Sequence, residues 1–159
     1  MSEKIVMERT YRATLEEVWA LWTTKDGIES WWGPEGFTVT VHRLDLRVGG
    51  TLQYTMTATA PEQVAFMQGA GLPVATDSTI TYTDVEPQRR LGYEMMADFI
   101  PGVQPYPMTT TVSLDHGPDG VRMTLAFDAM HDEDWTQRSV MGHEGELGRL
   151  EKILSSPER

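Results

Sequence analysis

Between Phe37 and Phe127 the apolar residues recur at every second position, while before and after that stretch they recur at helical spacing. Phe37/Val39/Val41 alternate with Thr38/Thr40/His42, and Leu52/Tyr54/Met56 alternate with Thr51/Gln53/Thr55. Ile80 and Tyr82 are interleaved with Thr79, Thr81 and Thr83. Leu91/Tyr93/Met95, Met108/Val112/Leu114 and Val121/Met123/Leu125/Phe127 complete the series. With KIVMERTY (4–11), which sets Ile5, Met7 and Tyr11 on one face, the pattern predicts seven strands. Each has one apolar face and one threonine-rich or charged face, the signature of an antiparallel sheet with one wet side. Val48–Gly49–Gly50, Glu86–Pro87 and His116–Gly117–Pro118–Asp119–Gly120 supply the turns.

Two short helices are expected after the first strand. Thr14 followed by Glu17 is a capping box, and Leu15, Val18, Leu21 and Trp22 follow at helical spacing. A second helix is expected from about Asp26 to Trp32, stopped by Gly33–Pro34. Two segments interrupt the strands. Thr59-Ala60-Pro61-Glu62 reads as a second capping box and predicts a helix over 60–68, and DFIPGVQPYP (98–107) is a proline-rich loop carrying Phe99, Ile100 and Tyr106. The longest helix is expected from about Asp132 to Leu154, with acids in its first turn and Val140, His143, Leu147, Leu150 and Leu154 on one stripe. Gly142, Gly145 and Gly148 lie off that stripe, which suggests a close backbone approach or a local bend.

Seven strands at ~4.8 Å spacing make a sheet roughly 30 Å across, and one helix about 10 Å in diameter cannot cover its apolar face. The sheet must curl round the helix, with the two small helices plugging one end. An apolar cavity between helix and sheet follows from that geometry. The fold class is therefore α+β, a curled seven-stranded antiparallel sheet around a long C-terminal helix, within one domain spanning 1–159.

Composition narrows the function classes. Of 159 residues, 40% are hydrophobic and 23% charged, as in ordinary folded domains. The absence of cysteine removes disulfides, thiolate metal sites and cysteine nucleophiles, and fits a cytoplasmic setting. The opening MSEKIVMERTYRA has charges and no apolar stretch, so no signal peptide is expected, and no run reaches the ~18 apolar residues of a membrane helix. A net charge of −11 with no basic cluster argues against nucleic acid and anionic membranes as partners.

The order strand, two short helices, six strands, long helix resembles the helix-grip fold of the birch-pollen-allergen and START-like (SRPBCC) superfamily. Within it, Trp31-Trp32-Gly33-Pro34, Asp45-Leu46-Arg47-Val48-Gly49-Gly50, Thr83-Asp84-Val85-Glu86-Pro87 with Arg90-Leu91, and the Leu147, Leu150, Leu154 ending are similar to the family of the activator of the 90-kDa heat-shock-protein ATPase. The resemblance spans essentially the whole chain. It implies a hydrophobic cavity beneath the long helix, no obligatory cofactor and a chaperone as an alternative partner. Eukaryotic activators carry a further N-terminal domain with major chaperone contacts, for which these residues leave no room. Many relatives have an aromatic after the glycine of the last helix, where this chain has Gly142-His143.

The residues expected at the cavity are Trp31 and Trp32 at its plugged end, and Tyr54, Met56, Tyr82, Tyr93, Met95, Met108, Met123 and Leu125 from the inward strand faces. Phe66 and Phe99 join them from the interrupting segments, and His143 and Leu147 from the last helix. Trp31 and Trp32 point ~100° apart if both are helical, so one is expected inward and the other over a neighbour or at the rim. Methionine suits an adaptable ligand wall and equally an irregular core. His143 could hydrogen-bond a polar ligand, act as a base, or be satisfied by a neighbouring hydroxyl or carbonyl. Asp45 and Arg47, two apart on one strand face, could present a carboxylate-binding guanidinium, but an ion pair bracing the Gly49–Gly50 turn is the favoured reading. The acids of His131-Asp132-Glu133-Asp134 are explained by the helix start without a metal. His42 and His116 have no visible companions. No phosphate loop, zinc-protease motif or nucleophile elbow is present, and no catalytic residue or metal ligand is assigned.

Three functions fit this reading. The favoured one is binding of a small hydrophobic molecule in the cavity, in a stress-related setting. The alternatives are an interaction protein acting on a chaperone, and a cyclase- or hydrolase-like enzyme using the same pocket.

Overall fold

The computed structural model describes residues 4–33, 35–98, 100 and 102–155. The elements run β1 (Lys4–Tyr11), α1 (Leu15–Thr23), α2 (Lys25–Trp31), β2 (Phe37–Leu44), β3 (Thr51–Ala58) and α3 (Pro61–Gly69). They continue as β4 (Ala75–Glu86), β5 (Arg90–Ala97), β6 (Tyr106–Gly117), β7 (Gly120–Asp128) and α4 (Glu133–Leu154). The strands form one seven-stranded sheet in the order β1-β7-β6-β5-β4-β3-β2, antiparallel at every pairing. Consecutive strands β1 and β2 thus lie at opposite edges, and α1 and α2 carry the chain between them. The sheet curls round α4 in a helix-grip fold.

The curl has local causes. Register shifts between Val41 and Arg43 and between Tyr82 and Asp84 mark bulges in β2 and β4, and bulges sharpen strand twist. Gly92 faces the second bulge, where an added Cβ would come within 2.8 Å of Thr83 Oγ1 and 3.0 Å of Asp84 Cβ. Only glycine lets β5 pass that close. The inward face buries Met7, Tyr11, Val39, Val41, Leu52, Ile80, Leu91, Val112 and Val121. From α4, Leu147, Leu150 and Leu154 close the core.

The helix ends show how local chemistry sets the plug. Thr14 Oγ1 accepts from Glu17 N at 3.0 Å, and the Glu17 carboxylate accepts from Thr14 N at 3.0 Å, so the capping box forms in full. Thr24 serves both small helices: its hydroxyl donates to Ala20 O at 2.7 Å and accepts from Gly27 N at 3.0 Å. Its cap starts α2 one residue ahead of the expected Asp26. Asp132 caps α4 by accepting from Trp135 N at 2.8 Å, and among the described residues no group of three His, Asp or Glu is placed to hold a metal.

Several expectations need correction. Thr59 does not cap α3. Pro61 takes the first helical position, Ala60 becomes the N-cap without a side-chain bond, and the Thr59 hydroxyl donates to Gly36 O at 3.3 Å. Asp45 and Arg47 are not on a strand, because β2 ends at Leu44. They still pair, Arg47 Nε donating to both Asp45 oxygens at 3.0 and 2.9 Å, beside a Gly50 whose missing Cβ makes room for the Asp45 carbonyl. His42 has companions: its Nε2 lies 2.6 Å from Thr55 Oγ1, which donates to Asp77 Oδ1 at 2.6 Å across β2, β3 and β4. Nothing approaches Gly142, Gly145 or Gly148 within 4 Å of an added Cβ, so a close backbone approach does not explain them.

Candidate functional site

The plugged end is built from indoles. Trp31 and Trp32 are only 1% and 7% exposed, and Trp22, Trp31 and Trp32 meet edge-to-face with centroids 4.6–5.5 Å apart. Trp31 donates its indole N–H to Leu21 O at 2.7 Å, which locks α2 against α1. Neither ring lies at the rim: Trp31 covers α1, the neighbouring element, and both rings are buried. The ~100° spacing of helical neighbours does not apply to the pair, because Trp32 is the C-cap of α2, with extended backbone at φ −63°, ψ 141°. Its ring swings under the sheet to contact Tyr54 at 6.2 Å and Tyr93 at 5.9 Å.

Beyond these rings a cavity of about 220 Å³ opens between the sheet and α4. Of the expected residues, Trp31, Trp32, Tyr54, Met56, Tyr93, Met95, Met108, Leu125, His143 and Leu147 line it. Tyr82 and Met123 do not. They have the inward parity but lie where the core is solid, and Met123 Sδ is 3.3 Å from the Trp22 indole nitrogen that donates to it. Phe66 is 66% exposed on α3, a helix that buries none of its residues, so it is no part of the wall. Phe99 lies outside the described residues.

Of the polar groups that α4 brings to the cavity, His143 was expected from the sequence and Glu146 was not. Glu146 lines the cavity, and its Oε2 accepts the Gly33 N–H at 3.0 Å. Arg149, one turn on, donates Nη1 to Gly33 O at 2.9 Å, Phe37 O at 3.3 Å and Trp32 O at 3.4 Å. Acid and base therefore clasp the two sides of one residue, and the tryptophan plug is fastened to the helix through Gly33, whose φ is +90°. Burial raises the Glu146 carboxyl above the ordinary carboxylate value, outweighing the His143 ring, the Gly33 N–H and Arg149, which favour the charge. Burial also raises the Tyr93 hydroxyl, with Glu146 adding to the effect, and it raises Tyr54.

His143 lies flat on Phe127, centroids 3.9 Å apart and planes at 10°. Its Nδ1 is 2.7 Å from Ser139 O, and because a carbonyl only accepts, Nδ1 carries the proton. In the neutral ring Nε2 is then an acceptor. Asp128, also in the lining, is already engaged: it pairs with Lys4 and accepts from Thr109 N at 2.8 Å and Thr109 Oγ1 at 3.0 Å. Burial raises its carboxyl, but Lys4 and Thr109 together hold it below the ordinary value. Phe127, which continues the parity of Met123 and Leu125, could have been found from spacing.

The geometry matches a known family. The family model described as Activator of Hsp90 ATPase homolog 1-like protein matches residues 12–155. The chain belongs to that family. Solved structures similar to this family member include protein CV1439 from Chromobacterium violaceum, with TM-score 0.78 and 22% identity over 96% of this chain and 97% of that one. A protein from Arthrobacter aurescens gives TM-score 0.75 and 22% identity over 97% of this chain and 87% of that one. The AHSA1-like protein from Aeromonas hydrophila gives TM-score 0.69 and 25% identity over 95% and 94%. No curated protein matches the chain. Among the described residues no helix is long and apolar enough to cross a membrane.

Proposed function

We propose that this member of the family binds a small apolar molecule in the cavity between the sheet and α4. The observation that carries the reading is the cavity of about 220 Å³, walled by Trp32, Tyr54, Tyr93, Phe127 and the flexible side chains of Met56, Met95 and Met108. Aromatic and thioether walls with few polar groups are the common make-up of small-molecule sites. A dry cavity of ~150 Å³ is enough for benzene, so this one suits a single ring with a short arm. Three indoles at its end make tryptophan fluorescence the natural probe. The test is titration with a panel of single-ring and short-chain compounds, read by fluorescence and by thermal shift, together with native mass spectrometry of the purified protein. Saturable quenching with a matching rise in Tm is expected for some of the panel. No saturable response to any compound, with no molecule co-purifying, would refute the reading.

A further inference from the structure

The charges around the cavity are one-sided. Among the described lining residues are the carboxylates Glu146 and Asp128 and the ring of His143, but no lysine or arginine. Asp128 is matched by Lys4 and Thr109. Glu146 is only half matched: Oε2 takes the Gly33 N–H, and no described residue donates to Oε1. His143 gives its Nδ1–H to Ser139 O, so in the neutral ring Nε2 is a second acceptor one turn along the same helix. Both acceptors belong to side chains that line one cavity, so a ligand that brings donors can pair with both. The rings of Tyr54 and Tyr93, centred 6.2 and 5.9 Å from that of Trp32, join it in adding negative faces that attract a cation.

Resting on the cavity-binding reading, we propose that the ligand is an apolar amine, a single ring on a short aminoalkyl arm, whose ammonium group is held by Glu146 and His143 against Trp32, Tyr54 and Tyr93. An anionic ligand is disfavoured, because no lysine or arginine is among the described lining residues and Arg149, outside the lining, directs Nη1 to the carbonyls of Trp32, Gly33 and Phe37. A neutral alcohol can donate one hydrogen bond but brings no charge to set against the carboxylate. An ammonium supplies up to three donors and the charge together.

The reading also sets a pH signature. The groups facing Glu146 are His143 and Arg149 on its own helix, Gly33 N–H from the plug, and Tyr54 and Tyr93 from β3 and β5. Across the cavity, Asp128 of β7 is paired with Lys4 of β1. An ammonium binds the ionised carboxylate, so its affinity rises as pH climbs through the Glu146 titration. A ligand carbonyl bound by the protonated acid would show the opposite trend.

The experiment uses the full chain and three probes of similar size: 2-phenylethylammonium, 2-phenylethanol and 3-phenylpropionate, followed by calorimetry and tryptophan fluorescence. At neutral pH the amine is expected to bind about tenfold or more tightly than the alcohol, the scale of one hydrogen bond to a charged group, with the propionate weakest. Glu146→Gln should collapse the amine's preference over the alcohol from about tenfold to near unity, whatever it does to the alcohol itself. The rise of amine affinity with pH in the unmodified protein supplies the same test without relying on a variant that folds. An alcohol or propionate that equals or exceeds the amine, or an amine preference that survives Glu146→Gln, overturns the amine assignment and leaves cavity binding standing. Failure of all three probes to bind overturns the amine assignment, and if the wider panel also fails it overturns cavity binding.

Discussion

The three glycines of α4 allow the sharpest check on its energetics. Gly142, Gly145 and Gly148 recur three apart in the interior of a 22-residue helix, and an added Cβ at any of them meets nothing within 4 Å. Alanine therefore introduces no clash, and its benefit comes from the smaller conformational freedom of the unfolded chain. Each Gly→Ala exchange in a helix interior is worth about 1 kcal/mol, so the triple variant should gain about 3 kcal/mol. For a chain of this size, that corresponds to a rise in Tm of about 6–12 °C. Calorimetric melts of the single and triple variants measure it, with urea titrations giving the same order. A Tm unchanged or lowered by the triple variant would refute the reasoning. It would show that α4 uses backbone conformations closed to alanine.

Two further predictions test the clasp and the caps. Because burial raises the folded-state pKa of Glu146 above its ordinary value of 4.5, the folded protein holds that proton more tightly than the unfolded chain. Its contribution to stability therefore declines as pH rises from about 4.5 through the folded value. Glu146→Gln keeps an oxygen for the Gly33 N–H and removes the charge, so urea unfolding at about pH 4 and about pH 8 should show the variant gaining on the unmodified protein as pH rises. A stability difference that does not change with pH would mean that the carboxylate ionises at no cost. Thr14→Ala should cost about 1 kcal/mol through loss of the α1 cap, while Thr59→Ala should change stability by less than about 0.5 kcal/mol. Equal losses at the two sites, in the same unfolding assay, would contradict the difference in capping.

The contrast between Thr14 and Thr59 shows where sequence reasoning stops. Both are threonines followed three residues later by glutamate, yet only one caps a helix. The difference is Pro61, whose ring prefers the first helical position and moves the start past Thr59. The strands were legible because alternation is enforced locally: a one-residue slip would turn every apolar side chain outward. Edge order was legible only in outline, since nothing in β1 or β2 records that the whole sheet lies between them. Phe66 and Met123 mark the same limit from two sides. Hydrophobicity and parity say that a residue can face inward, but not whether the space inside is empty, filled or out of reach.

The acid at the centre of the site illustrates the last step. On an expected amphipathic helix a glutamate reads as solvent-facing, and Glu146 carries no motif to say otherwise. Its role is set by Gly33, 113 positions earlier, whose N–H it accepts while Arg149 holds the adjoining carbonyls. The clasp works only because Trp32 leaves α2 in an extended conformation and Gly33 adopts a positive φ, turning that peptide toward α4. The same contact that fastens the tryptophan plug thus holds a carboxylate at the cavity wall. A neutral acid or an amide at this position still offers an oxygen to the Gly33 N–H, so the plug can stay fastened while the charge at the cavity wall is removed.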